Sequence, residues 1–532
     1  MKNKKVIIVG AGMAGLTAAS YLARENFDVL LLEKNDRIGG LVSTFEHKGF
    51  SFDTGPRAFI NSGMVKPILK DLGINGEFLG NRVSIGIKDH LFSVDSMDAL
   101  DEYERILRDL YPESAADVPK ITDAIRKLSD YTKTLYQFDN PNFVDLTGDI
   151  KFILTELLPW TVKLLVALNK FNKFGMPMED YLATLTGNQA LTDIVLQHFF
   201  KKTPAYFALG YFHVYMDYFY PKDGTGVLPR LLHEKVLAHG GETRFNTHIA
   251  AVIPAEHRVT DSDGNSYAYD HLVWAGDLKT LYRMLDSSGL EAEKQDAIKS
   301  ESDRILAARG AESSFNMFIG VDRPLSFFKE RGGEHLFYTE SREGLGETHR
   351  TELQNLIGNF DNLPKSAILK WLDKFCRLNT YEISVPALRD PSLAPDGQSG
   401  VMISCLFDYD LVEKINAAGW HDEFKQIMEN HILKLFSGSI YAGFEEDILF
   451  RFSSTPLTIH NATGSSEGAI TGWSFETDPP VEYKLKNIPR SARTSIPGVY
   501  KAGMWAYVPA GVPIAMLTGW HASQEIIKRS AK

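Results

Sequence analysis

The sequence is poor in cysteine: Cys376 and Cys405 are the only two in 532 residues. No C-x-x-C pair exists, so neither a thiolate zinc site nor a disulfide framework is expected, and both read as buried thiols of a reducing compartment. Basic charge is also in deficit, with 57 Lys and Arg against 68 Asp and Glu and a formal net charge of -11. This balance argues against a nucleic-acid partner, because phosphate binding draws on an excess of Lys and Arg. No run reaches about 18 uncharged apolar residues, so no spanning helix is expected. The opening "MKNKK" lacks the apolar stretch of a signal peptide behind it. It reads as a lysine-rich tail on a first strand, and a cytoplasmic protein is the expectation. His213, His248, His460 and His521 lack ligand spacing such as H-E-x-x-H, so no metal site is predicted, and no G-x-S-x-G elbow supports hydrolase chemistry. What is present is ordinary for a protein with a core, 44% hydrophobic and 23% charged residues. The length allows two to four domains or one large interleaved fold.

The stretch "VIIVGAGMAGLTAASYLARENFDVLLLEK", Val6 to Lys34, carries the first positive signal. Val6 to Val9 suit a buried parallel strand. Gly10, Gly12 and Gly15 fit G-x-G-x-x-G: a tight turn, a close backbone approach to a pyrophosphate, and a helix lying close to the sheet. A helix from about Ala14 to Arg24 aims its positive end at the phosphates. "DVLLLE" is the next strand, and Glu33 ends it where a carboxylate takes ribose hydroxyls. This grip holds NAD or FAD, and the residues that follow decide between them.

After Glu33 a second glycine pair, Gly39-Gly40, precedes "FDTGP" (Phe52 to Pro56). The pair plus F-D-x-G-P resembles the large family of FAD proteins that includes amine oxidases, protoporphyrinogen oxidase and carotenoid desaturases. The resemblance implies FAD as cofactor, with the chain at Gly40, Leu41 and Val42 passing close to the diphosphate and ribityl chain. Leu41 stands where many members have Arg. The same resemblance implies cofactor contacts from Gly10, Gly12, Met13, Ala14, Gly15, Glu33, Lys34, Gly55, Pro56 and Arg57.

Two further segments extend it. "GTGVLPRLLHEKVLAHGGETRFNTHIAAVI" reads as a helix ended by Gly240-Gly241 and then a strand over "ETRFNTHIAAVI". The resemblance sets the Ile249 backbone beside the adenine, and "YDHLVWAGD" looks like the family's strand ending in A-G-D. Near the end, "IPGVYKAGMWAYVPAGVPIAMLTGWHASQEII" reads as turn, strand, a tight passage at Gly503 and a helix from near Val512. Gly503, Met504, Val512, Pro513 and Met516 are its expected cofactor residues. Met504 occupies a position where many relatives have Asp or Glu, so only its backbone N–H can serve there.

The middle narrows the group. "ISVPALRDPSLAPDG" (Ile383 to Gly397) and "TPLTIHNATGSSEGAITGWSF" (Thr455 to Phe475) are similar to loops of the phytoene desaturase, carotenoid cis-trans isomerase and retinol saturase group. "PMEDYLATLTGNQALTDIVLQHFF" resembles its lid helices. The implied activity is oxidoreduction at carbon–carbon bonds of a long polyene or isoprenoid lipid, by desaturation, saturation or cis-trans isomerisation. Two alternatives stay open: a flavin amine oxidase, which should show an aromatic pair and a Lys at the flavin, and a non-catalytic FAD-containing lipid-binding protein. Arg57 and Tyr507 are the acid/base candidates, each set against a purely structural role. The segment from Phe152 to Phe171 reads either as a monotopic helix dipping into a bilayer or as a core helix with surface lysines. The aromatic run from Tyr206 to Tyr220 suits a core or the wall of an apolar tunnel.

The expected fold class is α/β. A Rossmann-type FAD-binding domain (1–75, 222–300 and 480–532) interleaves with a mixed-sheet substrate domain (301–479) and a helical lid (76–221). The oligomeric state has no signature.

Overall fold

The computed structural model of the protein describes residues 4–143, 153–196 and 198–531. Phe152 and the first three residues of the lysine-rich start lie outside them. Two sheets organise the chain.

The first is five-stranded and parallel, in the order Glu242–Arg244, Asp28–Leu32, Lys5–Val9, His271–Trp274, Val499–Lys501. Strand side chains alternate between faces. Val6 and Ile8 therefore enter one core, with the helices Met13–Arg24, Val227–Ala238 and Val512–Ser530. Ile7 and Val9 enter another, covered by a three-stranded antiparallel sheet that includes Ile249–Ile253 and Arg258–Asp261. The two helices Met13–Arg24 and Val512–Ser530 touch backbone to side: a Cβ on Gly519 would lie 2.3 Å from the Ala14 carbonyl oxygen. Only glycine permits that approach, and it ties the chain's two ends into one body.

One sequence expectation is corrected here. "ETRFNTHIAAVI" is not a single strand. Asn246 turns the chain with φ 52°, so Glu242–Arg244 joins the parallel sheet and Ile249–Ile253 the antiparallel one. Asn and Asp tolerate the left-handed region better than other non-glycine residues. The turn is held by Asn246 N–H on the Asn35 carbonyl (3.0 Å) and Thr247 N–H on that of Glu33 (2.8 Å).

The second sheet has seven strands, in the order Ile448–Ser454, Ser313–Val321, Ser399–Phe407, Thr380–Ser384, His335–Thr339, Val83–Ile87, His90–Ser93. All its pairings are antiparallel except that of His335–Thr339 with Val83–Ile87. Residues 83–93 were expected in a helical lid and instead supply two strands. The alternation in "VSIGI" and the left-handed turn at Lys88 (φ 54°) make a hairpin of them. One face of the sheet, with Phe315, Met317, Ile403, Tyr381 and Ile383, is sealed by the helices Lys365–Leu378 and His421–Ser437. The other carries a cross-strand row of Ser454, Asn316, Ser404, Glu382, Phe337 and Ile85.

That second face is roofed by two bodies. The hairpin Ser43–His47/Phe50–Thr54 packs Phe50 and Phe52 on Phe318 and Met402. A helical cap comprising Ala99–Leu110, Val118–Tyr136, Gln189–Leu196 and Ala205–Val214 covers the rest. No helix among the described residues is long and apolar enough to cross a membrane.

Candidate functional site: a glycine-lined grip beside a polar sheet face

The grip forms where the strand Lys5–Val9 ends. Gly10 turns with φ +101°, and a Cβ on Gly15 would sit 1.9 Å from the Gly10 carbonyl oxygen, so the helix can start this close only with glycine there. Gly39 and Gly40 lie against the same turn: Gly39 N–H donates to the Ala11 carbonyl (2.8 Å), and Gly39 bridges Gly12. The nearest atom to a Cβ on Gly12 would be the Gly39 oxygen, 3.9 Å away, so the turn opens into a cradle. The first-turn N–H groups of Met13, Ala14 and Gly15 face it with no side-chain cap.

Glu33 stands at the edge, 6% exposed. One carboxylate oxygen accepts from Ala11 N–H (2.7 Å), the other from Asn35 N–H (2.9 Å). A carboxylate has about four acceptor positions, so two remain for a diol. The turn at Asn246–Thr247 brings Ile249 to this end of the sheet. Lys34 is partly buried beside Gly464, and desolvation pulls its ammonium below the usual range against the opposing pull of Glu33.

The C-terminal passage meets the grip from the other side. A Cβ on Gly503 would be 3.5 Å from the Ala14 Cβ, and Gly503 N–H donates to Thr518 Oγ1 (2.9 Å). The helix Val512–Ser530 begins at Gly511 without a side-chain cap and with Pro513 in its first turn. The Val512 and Ile514 N–H groups are thus left for a ligand or solvent. Met516 is fully buried in the helix core, so its side chain packs there. Met504 half-lines this region beneath Gly472, whose Cβ would clash with the Met504 carbonyl oxygen at 2.2 Å.

The stretch Leu41 to Arg57 joins grip to sheet face. Val42 is buried in the helix core, and Gly55 (φ +74°) rides on the Leu41 carbonyl. Arg57, after Pro56, reaches the seven-stranded sheet. Its guanidinium donates to the Asp53 carbonyl (2.8 Å), to Asn316 Oδ1 (2.9 Å) and to Ser404 Oγ. The side chain is 2% exposed, and burial lowers its pKa while Glu382 and Asp53 oppose that shift. Arg57 therefore fastens the flavin-side loop to the sheet. Tyr507 is turned away: its hydroxyl donates to the Tyr483 carbonyl (3.0 Å), and burial raises its pKa. Of the two acid/base candidates, the structure brings Arg57 to the sheet face and leaves Tyr507 apart from it.

Several residues here were not singled out from the sequence. Asp53 is fully buried and accepts from Thr44 Oγ1, Thr225 N–H, Thr225 Oγ1 and Tyr220 OH at 2.6–2.9 Å. The "DPSLAPDG" loop supports that knot, because Asp390 accepts from Asp223 N–H (2.9 Å) and Arg389 stacks on Tyr220 at 4.4 Å. Glu382 accepts from His335 Nε2 (2.9 Å), and Asn81 meets His335 Nδ1 (3.2 Å). His198 bonds Tyr215, and desolvation lowers its pKa to about 4, so its ring is neutral. The alternating strand "TYEIS" sets Glu382 on the polar side with Thr380 and Ser384, opposite Tyr381 and Ile383, so its pattern alone reads as an ordinary half-buried strand.

The residues present fit a group with a diphosphate and a ribose. Uncapped helix N-termini suit the first, the spare Glu33 acceptors the second. Glu33→Ala removes those acceptors and orphans two backbone N–H groups. Flavin affinity is expected to fall about tenfold or more, since each charged hydrogen bond is worth roughly 1.5–3 kcal/mol. Dialysis followed by flavin absorbance measures it.

A parallel sheet with this grip, joined to a capped mixed sheet, is the architecture of a flavin-dependent oxidoreductase. The chain matches the flavin containing amine oxidoreductase model over residues 13–527 and belongs to that family. It is similar to 4,4'-diapophytoene desaturase of Staphylococcus aureus, 22% identical over 98% of this chain and 99% of that one. It is also similar to 4,4'-diaponeurosporene oxygenase of Staphylococcus haemolyticus, 21% identical over 89% and 88%. An inactive all-trans-retinol 13,14-reductase of Danio rerio is 22% identical over 87% of this chain and 76% of its own. Among solved structures, an oxidoreductase from Methanosarcina mazei shares the fold with a TM-score of 0.61 at 13% identity, covering 98% of this chain and all of that one. A putrescine oxidase triple mutant does so with a TM-score of 0.61 at 13% identity, covering 99% of each.

Proposed function

We propose that the protein is an FAD-dependent oxidoreductase acting on carbon–carbon bonds of a long polyene or isoprenoid lipid, in a carotenoid-type desaturation, saturation or cis-trans isomerisation. One observation supports this reading: a small, mostly apolar, partly open pocket of about 50 Å³ between cap and sheet, lined by Ile85, Ile194, Leu209, Phe212 and Phe337. Phe337 belongs to the same cross-strand row as Glu382 and Ser404, and Ser404 holds Arg57 at the foot of the glycine grip. Its apolar walls suit contact with part of a hydrocarbon chain. The names of the relatives support the same substrate class.

The grip would hold FAD through Gly10, Gly12, Met13, Ala14 and Gly15 at the diphosphate, Glu33 at the ribose, and Gly503, Met504 and Val512 at the other end. When bound, FAD supplies hydride acceptance or donation. The chain's own part is to keep the site dry beneath the cap and to hold the sheet face in register through Arg57.

The test is an anaerobic spectrum of the purified protein, followed by mixing with phytoene, lycopene isomers or retinol. Oxidised-flavin bands near about 370 and 450 nm that bleach with one lipid would support a desaturase. Dithionite bleaching reversed by a polyene would support a saturase, or an isomerase if mass is unchanged and geometry altered. Bleaching by amines alone would replace this reading with an amine oxidase, and lipid binding without turnover with a non-catalytic lipid-binding flavoprotein.

The helix Leu158–Phe171 exposes Leu158, Val162, Leu165 and Val166 on one face, with Lys163 and Lys170 also exposed. Trp160 points inward and donates to the Thr134 carbonyl (2.7 Å), so it is not an interface anchor. We propose that this face touches the bilayer that stores the substrate. Val162→Asp with Leu165→Asp should lower co-sedimentation with anionic vesicles by about tenfold or more, given roughly 1.5–3 kcal/mol per buried aliphatic side chain. Flavin content should stay unchanged.

A further inference from the structure

We propose that Glu382 is the recognition group for a hydroxyl on an otherwise apolar polyene, which makes the substrate class a polyene alcohol rather than a pure hydrocarbon. This rests on the polyene reading above and narrows it.

Thr380–Ser384 is an interior strand, paired on both sides, with Tyr381 and Ile383 turned into the helix-covered core. Glu382 must face the other way. Its cross-strand neighbours are Phe337, which lines the cavity, and Ser404, which holds Arg57. A third of its side chain remains accessible. On an interior strand flanked by the cap and by the Phe50–Thr54 hairpin, that surface lies beside Phe337 at the edge of the apolar pocket.

The carboxylate is preset. Asn81 Nδ2 donates to His335 Nδ1, which leaves the ring proton on Nε2 to donate to Glu382 Oε1. Burial acts to raise the Glu382 pKa, but the hydrogen bond from His335 and the charge of Arg57 reverse that and hold it below the usual carboxylate range. Its Oε2 accepts no hydrogen bond from any described residue.

The surroundings select among ligands that could reach this oxygen. Arg57 and Arg389 are cations of the same buried cluster and disfavour an ammonium. Their unpartnered nitrogens, Arg57 Nε and Arg389 Nε and Nη1, are inaccessible and cannot take an anion. A ligand carboxylate would meet the charge of Glu382 itself. A hydrocarbon would cover Oε2 and give it no donor. A neutral O–H at the end of an apolar chain meets none of these penalties.

The experiment compares retinol, retinyl methyl ether and lycopene on the flavin-loaded protein, by anaerobic equilibrium dialysis read from polyene absorbance. Retinol should bind about tenfold or more tighter than its ether, the value of one charge-assisted hydrogen bond. In Glu382→Gln that ratio should fall to about threefold or less, because a neutral amide is the weaker acceptor. Equal wild-type affinity for alcohol and ether overturns the proposal and needs no variant. So does a ratio unchanged in Glu382→Gln. If ether and lycopene bind as tightly as retinol, the hydroxyl inference falls and the polyene reading stands. If none of the three binds, the polyene reading falls and takes this inference with it.

Discussion

Asp53→Ala is expected to destabilise the protein by about 4 kcal/mol or more and to release its flavin, because it orphans several buried donors at once and each costs roughly 1–3 kcal/mol. Thr44 Oγ1, Thr225 N–H, Thr225 Oγ1 and Tyr220 OH all converge on this fully buried carboxylate. The four donors come from three separate chain segments: the hairpin strand Ser43–His47, the turn after Pro221, and the strand Tyr218–Pro221. Asp53 itself lies two residues before Gly55, so loosening the knot moves the loop that passes the cofactor. Asp53→Asn keeps an acceptor for the threonine donors, and the Tyr220 hydroxyl can rotate to accept from the new amide. It should cost about half as much or less. Urea unfolding, followed by both flavin absorbance and far-ultraviolet circular dichroism, would separate the two variants. A wild-type midpoint for Asp53→Ala would show that the knot is not needed for the fold.

The second large effect concerns Glu312, where the cap meets the sheet. Its Oε1 lies 2.8 Å from His349 Nε2 and 3.6 Å from Lys201 Nζ, and its Oε2 accepts from Lys201 N–H at 2.8 Å. Burial acts to raise this carboxyl pKa, but Lys201 and His349 more than reverse that, and the result is lowered to about 2. A folded pKa below the unfolded one means stability that is present above the unfolded pKa of about 4.5 and is lost as pH falls toward about 2. At 1.36 kcal/mol per unit this contribution is on the order of 3 kcal/mol. Glu312→Gln should remove it and leave the Lys201 ammonium, 14% exposed, without its counter-charge, for a loss of about 3–5 kcal/mol at neutral pH. The wild-type protein should lose stability steeply between pH 4.5 and 2, and the variant less steeply over that window. Denaturant midpoints at a series of pH values would check the sign; parallel curves for the two proteins would show that Glu312 titrates normally.

The parallel sheet and its grip were legible because their determinants are local. Val6 to Val9, the three glycines and Glu33 occupy one continuous stretch, and each glycine answers a backbone requirement a few residues away. The helix at Val512 was legible for the same reason. The break at Asn246 was not, since an asparagine inside an apolar pattern signals a turn only when carbonyls such as those of Glu33 and Asn35 wait to receive its N–H groups. Residues 83–93 carry too little local sign to set them apart from the helical lid expected over 76–221. Their partner strand, His335–Thr339, is some 250 residues away.

The sequence by itself determined the dinucleotide grip, the α/β class and the flavoprotein superfamily, since these depend on short-range spacing and on motifs quoted residue by residue. Only the tertiary structure decided where Arg57, Asp53 and Glu382 sit and which groups they bond. Their bonds reach partners 47 to 347 residues away along the chain: Asn316 and Ser404 for Arg57, Tyr220 and Thr225 for Asp53, and His335, itself bonded to Asn81, for Glu382. A charged side chain carries no local sign of whether it will end in water or in a core. Sheet register makes that choice, because shifting a strand by one residue exchanges its two faces.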